Sequence, residues 1–353
     1  MQRGRIHRGA AGAGVVAVAV FLAACSSGGG GGSSAGDGGT LNASGSTFQL
    51  PFQQQAIQNF QSSHSGVKVN YGGGGSGKGR SDLASGVVNF AGSDTAPIPS
   101  DEMSGFKGKK VLYFPVIIGP ITVSYNLPGV SKLQLDPKVI AEIFQAKITK
   151  WNDPAIKAEN PGAKLPSTSI TIAHRSDSSG TTANFTLFLQ KAEPSVWKLG
   201  SSSTVNWPSN SRAGDGNSGV AQIIKSTSGA IGYVDYPDAV AAGLTFASVK
   251  NQTGKYVAPS ASAASAAADQ STVAPNLTFA AVWAPGTSSY PITYQSWDLV
   301  YAKQKSASTA KLLKQYLSYL LGPGQQLLPG LHYAPLPSGL DQKAKAQLSQ
   351  ITS

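Results

Sequence analysis

The sequence predicts an α/β fold, on two observations. Short apolar runs alternate with helix-like segments along most of the chain. Glycine is abundant, at 41 of 353 residues, as tight loops between many short elements require. This length accommodates two ordinary domains or one large one. Hydrophobic residues make up 41% and charged residues only 13%, about half the usual charged share. Buried cores are therefore expected, and coiled coils or long charged helices are not.

The chain opens with Arg3, Arg5 and Arg8 and continues in an apolar, small-residue run from Ala10 to Ala24. That is the layout of an export leader, too short for a comfortable membrane span. Leu22-Ala23-Ala24-Cys25 matches a lipobox, in which cleavage before the Cys leaves it N-terminal and acylated, typically with palmitate. The plain alternative is an ordinary leader with a chance Cys. Against it, Cys25 is the only Cys in the chain, and a Gly/Ser-rich tether follows from Ser26 to Gly39. Residues 1–24 are thus expected to be a signal peptide and 25–40 a lipidated Cys with its tether, holding the protein on the extracytoplasmic side of the cell membrane. Loss of the leader removes three arginines from a formal charge of +11. The remaining basic balance suits an anionic ligand or surface. The lysines are scattered and no basic run interleaves with aromatics, so no nucleic-acid partner is expected. With Cys25 acylated, no disulfide is possible.

Apolar runs at Val67–Tyr71, Val88–Ala91, Val111–Ile118, Ile121–Tyr125, Ile170–Ala173 and Ile231–Val234 read as strands. Asp136-Pro137 offers an N-cap and first-turn proline to a helix with the stripe Val139, Ile140, Ile143 and Phe144. Asn217 or Ser218 is the expected cap of a helix carrying Val220, Ile223 and Ile224. A later helix presents Leu313, Tyr316, Leu317 and Leu320 and stops at Gly322-Pro323-Gly324. Ser260–Ala268 is Ala/Ser-rich, either low-complexity or a weak helix.

Four segments combine a strand end, small polar residues and a helix start: Ser44-Gly45-Ser46-Thr47-Phe48, Gly72 to Gly79, Ala91-Gly92-Ser93-Asp94, and Arg175-Ser176-Asp177-Ser178-Ser179-Gly180-Thr181. Free N–H groups at a helix start, with about half a positive charge, bind anions. Hydroxyls add donors, and Arg175 adds a planar fork matched to phosphate oxygens. One such segment alone is more often a structural turn.

Together the four carry a resemblance, with further landmarks in order: Val69-Asn70-Tyr71, Phe114-Pro115, Ile143-Phe144, Lys150-Trp151-Asn152-Asp153, Ser203 to Pro208 and Gly229 to Val234. From about Leu41 onward the chain resembles the phosphate-binding protein of high-affinity phosphate ABC importers. The resemblance implies a two-lobed periplasmic-binding-protein fold of type II, each lobe a mostly parallel sheet flanked by helices. Lobe I would comprise 41–117 and 291–353, and lobe II 118–290, with hinge crossings near Val116–Gly119 and Tyr290–Thr293. It implies main-chain or hydroxyl donors to inorganic phosphate from Thr47, Phe48 and Ser76. Asp94 would accept the ligand's proton, Arg175, Ser179, Gly180 and Thr181 would close from the other lobe, and Asp177 would orient Arg175. A monomer without cofactor, delivering its ligand to membrane permease subunits, is the implied mode of action. Two departures stand out: Ser178 replaces a common Gly, and Gly77 replaces a second Ser, which leaves the hydroxyl register at Ser76 open by one residue.

Other chemistries fit less well. Gly72 to Lys78 nearly forms a P-loop, but Gly79 stands where Ser or Thr must hold magnesium. His174 neighbours Ser176 and Asp177, yet alternate strand residues face opposite sides, and no G-x-S-x-G elbow occurs. His64 sits in a polar turn and is expected to be exposed. No metal-ligand spacing is present. Trp151, Trp197, Trp207, Trp283 and Trp297 read as core or rim. An exported phosphatase on the same scaffold, and a surface adhesin or signalling protein, remain as rival functions.

Overall fold

A computed structural model of the chain describes residues 38–353. The leader, Cys25 and most of the tether lie outside the described residues. In chain order the elements are β1 (Gly39–Gly45), α1 (Leu50–Ser63), β2 (Val67–Gly74), α2 (Ser76–Ser85), β3 (Phe90–Ser93), β4 (Val111–Tyr125), β5 (Gln134–Leu135), α3 (Pro137–Phe144) and α4 (Pro154–Glu159). Next come β6 (Thr171–Arg175), α5 (Gly180–Ala192), β7 (Arg212–Gly214), α6 (Gly216–Ser226), β8 (Ala230–Asp235) and α7 (Tyr236–Ala241). The chain ends with β9 (Thr245–Phe246), β10 (Ser248–Lys250), β11 (Tyr256–Val257), α8 (Ala261–Ala268), β12 (Thr293–Tyr301), α9 (Ala307–Leu320) and α10 (Leu340–Gln347).

One curled sheet runs β2-β1-β3-β12-β4-β8-β6-β7, with β9 also on β4, and a small sheet β11-β10-β5 lies apart. Strands β1, β2 and β3 are mutually parallel, as are β6, β7 and β8. The fold is therefore the expected α/β architecture, with two lobes that share β4. The two apolar runs expected at Val111–Ile118 and Ile121–Tyr125 are one continuous 15-residue strand. From Val111 to Pro120 it pairs antiparallel with β12, and from Ile121 to Tyr125 with β8. Gly119-Pro120 does not break it because Ile121 N–H donates to Ile292 O (2.8 Å), keeping the ladder satisfied across the change of partner.

Local signals explain several helices. Asp136 caps α3 through Val139 N–H (2.8 Å), and Val139, Ile140, Ile143 and Phe144 are buried as the stripe requires. Ser260 caps α8 through Ala263 N–H (3.1 Å), and Ala263, Ala264, Ala267 and Ala268 pack inward, so the Ala/Ser stretch is a core helix. Three expectations shift. The third strand starts at Phe90 rather than Val88, because Val88 still lies in the turn that closes α2. The cap position of α6 is Asp215, two residues before Asn217, with Gly216 at φ +64° turning the chain into the helix; Asn217 is freed for another role. His64 is half-buried, its ring stacked on Phe60 with centroids 4.1 Å apart. The tryptophans read as core or rim behave so: Trp151, Trp197 and Trp297 are buried, while Trp207 and Trp283 are half-buried.

Close backbone approach sets the geometry where β1 meets β3. A Cβ on Gly45, at φ +136°, would sit 2.1 Å from Gly92 O, so only glycine fits.

Asp298 of β12 is fully buried, and Gln53 Nε2 donates to its two carboxylate oxygens at 3.3 and 3.2 Å. Burial pushes its pKa up to about 8. The unfolded chain releases this proton near the ordinary carboxylate value of about 4. Between those values the folded state holds the extra proton, so stability falls with rising pH, by about 1.4 kcal/mol per unit for this group. Above the folded value the loss is complete. Asp298→Asn should therefore flatten the fall in melting temperature between about pH 5 and 8, measured by thermal melts across that range.

Candidate functional site

Loops at the C-terminal ends of parallel strands converge between the lobes, as open α/β sheets generally arrange them. From lobe I come the loop after β1, the start of α2 and the residue after β3. From lobe II come the loop after β6 and the first turns of α5 and α6.

The loop after β1 is pinned from both sides. Ser46 N–H donates to Gly92 O (2.9 Å). The Phe48 ring is buried, stacked on Tyr294 with centroids 4.1 Å apart and edge-on to Tyr333, while Phe48 O accepts from the Tyr333 hydroxyl (2.6 Å). The ring is thus packing, and the local backbone is held rigidly at the cleft. Thr47 projects from this loop, and its Oγ1 accepts from Asn217 Nδ2 of the opposite lobe (3.1 Å).

Asp94, immediately after β3, is 2% exposed. Its Oδ1 accepts from Ser46 Oγ (2.6 Å) and Ser296 Oγ (2.5 Å), and its Oδ2 from Ser76 Oγ (3.1 Å). Ser76 Oγ in turn accepts from Asp94 N–H (3.1 Å). Burial raises the Asp94 pKa; the three hydroxyls and the nearby positive charge of Arg175 oppose that rise without cancelling it. A buried carboxylate that prefers a proton close by is the result.

Arg175 ends β6 and is likewise buried. Its Nε donates to Asp177 Oδ1 (2.7 Å) and its Nη2 to Asp177 Oδ2, a bidentate fork. Nη1 reaches Thr181 Oγ1 (3.3 Å). Burial opposes the charged form, but the Asp177 hydrogen bonds and charge outweigh it and raise the Arg175 pKa. Ser179 caps α5, its Oγ accepting from Thr182 N–H (3.1 Å). Gly180 and Thr181 occupy the first turn, where amides have no partner within the helix.

The lobes are closed around this cluster. Gly77 N–H donates to Ser178 O (2.9 Å), and Asn184 Nδ2 donates to Asp94 O (2.7 Å) and to Gly180 O (2.9 Å). Thr47, Phe48, Ser76, Asp94, Arg175, Asp177, Ser179, Gly180 and Thr181 are therefore gathered in one place. A cavity of about 390 Å³ adjoins Asp94, lined among others by Arg80, Asn184 and Ser203.

The sequence reading missed five contributors. Ser46 lay inside a quoted segment but was not singled out. Ser296 and Asn184 sit in the middle of an apolar strand and a helix, with no turn signal to mark them. Asn217 was read as a cap. Asp235, the last residue of β8, is fully buried and caps α7 through Asp238 N–H (3.1 Å). Its Oδ2 accepts from Asn217 Nδ2 (2.5 Å), and burial, then the charge of Asp238, pushes its pKa well up. His174, by contrast, does not build a triad: its ring stacks near Trp207, and Nδ1 lies 2.9 Å from Arg175 O. Among the described residues, no group of three or more His, Cys, Asp or Glu side chains is placed to hold a metal ion.

Comparison with known proteins places this architecture. A family model described as a PBP superfamily domain matches residues 31–323. The phosphate-binding protein PstS of Xylella fastidiosa is 34% identical over 312 residues, covering 87% of this chain and 84% of that protein. The chain belongs to the PstS phosphate-binding protein family. Another PstS relative, from Methanocaldococcus jannaschii, is 36% identical over 324 residues, covering 84% of this chain and 82% of that protein. Among solved structures, a high affinity periplasmic phosphate-binding protein bound with phosphate superposes with a TM-score of 0.73 at 21% identity, covering 87% of this chain and 93% of that one. A phosphate-binding protein from Stenotrophomonas maltophilia gives 0.71 at 18% identity, over 88% and 94%. At those identities the structural matches establish the two-lobed fold of this PstS family member.

The closed contact turns on Gly180. A Cβ there would lie 2.4 Å from Ser76 Oγ and 2.5 Å from Asp94 Oδ2. Gly180→Ala should hold the lobes apart without unfolding either, because alanine favours the helix it joins. Small-angle scattering should show a larger radius of gyration for the variant, with an unchanged melting temperature.

Proposed function

We propose that this chain captures inorganic phosphate between its lobes and hands it to a membrane permease of the ABC type. One observation carries the reading: a buried carboxylate, Asp94, shares a closed cleft with a buried guanidinium, Arg175, amid hydroxyls and helix-start amides. A bare carboxylate repels an anion unless a proton lies between them. Phosphate retains such a proton near neutral pH and sulfate does not. Asp94 thus accepts from phosphate and meets sulfate as a second unpaired acceptor. Sites built on a buried partner of this kind discriminate by about 10⁴.

The donors divide between the lobes. Lobe I, taken as 41–117 and 291–353, offers the amides of Thr47 and Phe48 and the hydroxyl of Ser76, whose hydrogen turns from Asp94 Oδ2 to the ligand. Ser76 is favoured over its neighbour because its Oγ touches Asp94, whereas Gly77 has no hydroxyl and spends its amide on Ser178. Lobe II, 118–290, offers Arg175 held by Asp177, together with Ser179, Gly180 and Thr181. Asn217 prepares two of these groups. Its amide nitrogen has Asp235 Oδ2 on one side and Thr47 Oγ1 and Thr181 Oγ1 (3.1 and 3.4 Å) on the other. A hydroxyl that accepts there must turn its own hydrogen elsewhere, toward the ligand. Cys25, acylated, anchors the monomer to the outer face of the cell membrane, and the closed form is the one the permease recognises. The protein acts by binding alone, without chemistry on the ligand.

Two substitutions test this. Asp94→Asn supplies an amide donor to sulfate, so the preference for phosphate should fall by at least about a hundredfold in competition calorimetry; a variant that rejects sulfate as strongly as the parent refutes the role. Asn217→Asp presents an acceptor to both threonine hydroxyls and draws their hydrogens away from the ligand. Phosphate affinity should drop by about ten- to a hundredfold, more than in Asn217→Ala, by titration calorimetry.

A further inference from the structure

Far from the cleft, lobe I carries a groove of about 490 Å³. Val87, Val88 and Tyr301 supply its apolar part, and Lys109, Lys110, Lys303 and Lys305 line it. No acidic residue contributes to the lining. All four lysines are exposed, and among the described residues none is ion-paired. Lys110 Nζ donates to Gln350 Oε1 (2.9 Å), Lys305 Nζ to Gly86 O (3.3 Å), and Lys109 lies 4.9 Å above the Tyr301 ring. Val87, in the same lining, is 67% exposed. Four unneutralised cations around an exposed aliphatic side chain favour a partner that is anionic outside and apolar beneath.

The position of the groove narrows the partner. Strands β1, β2 and β3 run from this tip toward the cleft, so the groove residues before β3, before β4 and after β12 sit at the end opposite Gly45 and Ser93. Strand β1 also starts at this end, at Gly39. Asn42 N–H donates to the side-chain oxygen of groove residue Asn89 (2.8 Å), and Asn89 N–H returns a bond to Asn42 O (2.7 Å). Gly39 packs against Leu312, three residues past groove-lining Thr309 on α9. The tether of Ser26–Gly39 therefore joins the lobe beside the lysines. Gly39 follows Cys25 by only 14 positions, at most about 50 Å of chain, so a lipid on Cys25 would leave this tip within reach of the bilayer.

We propose that this tip is a docking surface for anionic phospholipid headgroups. The ammonium groups pair with lipid phosphodiesters while Val87 enters the interface, and the protein rests on the bilayer with its cleft directed away from it. The proposal rests on the reading of Cys25 as a lipid anchor, and the headgroup contact itself is measurable without the lipid.

The test uses the chain from Ser26 onward, which retains every described element, with vesicles of phosphatidylcholine alone or mixed with phosphatidylglycerol. The parent should sediment with the anionic vesicles only, and 0.5 M salt should release it, because surface charge is screened within a few ångströms there. A variant with Lys109→Gln, Lys110→Gln, Lys303→Gln and Lys305→Gln should lose at least about tenfold in partition. An equal neutralisation on lobe II, at Lys138, Lys147, Lys157 and Lys164, should lose far less. Val87→Ser should weaken partition by several-fold. Phosphate titration of each variant serves as the folding control; a parent that binds vesicles but not phosphate overturns the transport reading and leaves this one standing. A parent that ignores anionic vesicles overturns the lipid surface, as does equal loss in both lysine sets. Self-association through the groove in sedimentation velocity, without vesicle binding, overturns it in favour of a second copy.

Discussion

Two opposite charges taken out of water at the boundary between the lobes govern this structure. Arg175 is buried and cannot shed its proton, so it must be met by acceptors wherever the chain places it. Asp177 meets it with both oxygens, and Thr181 takes a remaining donor. Asp94 is buried without a direct cation and is instead surrounded by hydroxyls from the loop after β1, the start of α2 and strand β12. Unsatisfied, either group would cost more than a typical hydrogen bond returns. The loops at the strand ends are accordingly fixed by the need to deliver partners.

That need also explains the shared strand. β4 carries one backbone ladder out of lobe I and into lobe II, so the lobes approach on a continuous hydrogen-bonded path. Small residues line the closing faces, and Gly180 admits Ser76 and Asp94 to a distance no side chain would allow. Closure is a packing event as much as an electrostatic one. Asn217, Asn184 and the Gly77–Ser178 pair supply polar bonds across it without adding net charge.

Charge is distributed unevenly over the molecule. In the cleft Arg175 is paired with Asp177 two residues away, whereas the tip of lobe I leaves four lysines uncompensated among the described residues. A paired charge in a buried cleft is worth most because water is excluded there. Uncompensated charge in water acts weakly per residue and suits a reversible surface contact.

Much of this was legible in the sequence alone. Apolar runs of strand length, Asp136-Pro137, and the strand–turn–helix segments at Ser44–Phe48 and Arg175–Thr181 carry their meaning locally, because strand alternation, capping and helix-start amides depend on neighbours a few residues away. Those signals located the α/β class, most helices and the four segments that meet in the cleft; the individual cleft residues came from the family resemblance those segments carry. What they could not reach was set at long range. Ser296 and Asp94 are 202 positions apart and meet only because β12 pairs antiparallel with β3. Asn217 was read as a cap from its neighbours, yet Thr47, in the loop after β1, and Asp235, at the end of β8, decide its use. Val111–Ile118 and Ile121–Tyr125 read as two strands, and only their partners β12 and β8 show them to be one. Local chemistry determined which groups this protein offers; the sheet's order and register decided which of them touch, because only tertiary pairing brings distant loops within hydrogen-bond reach.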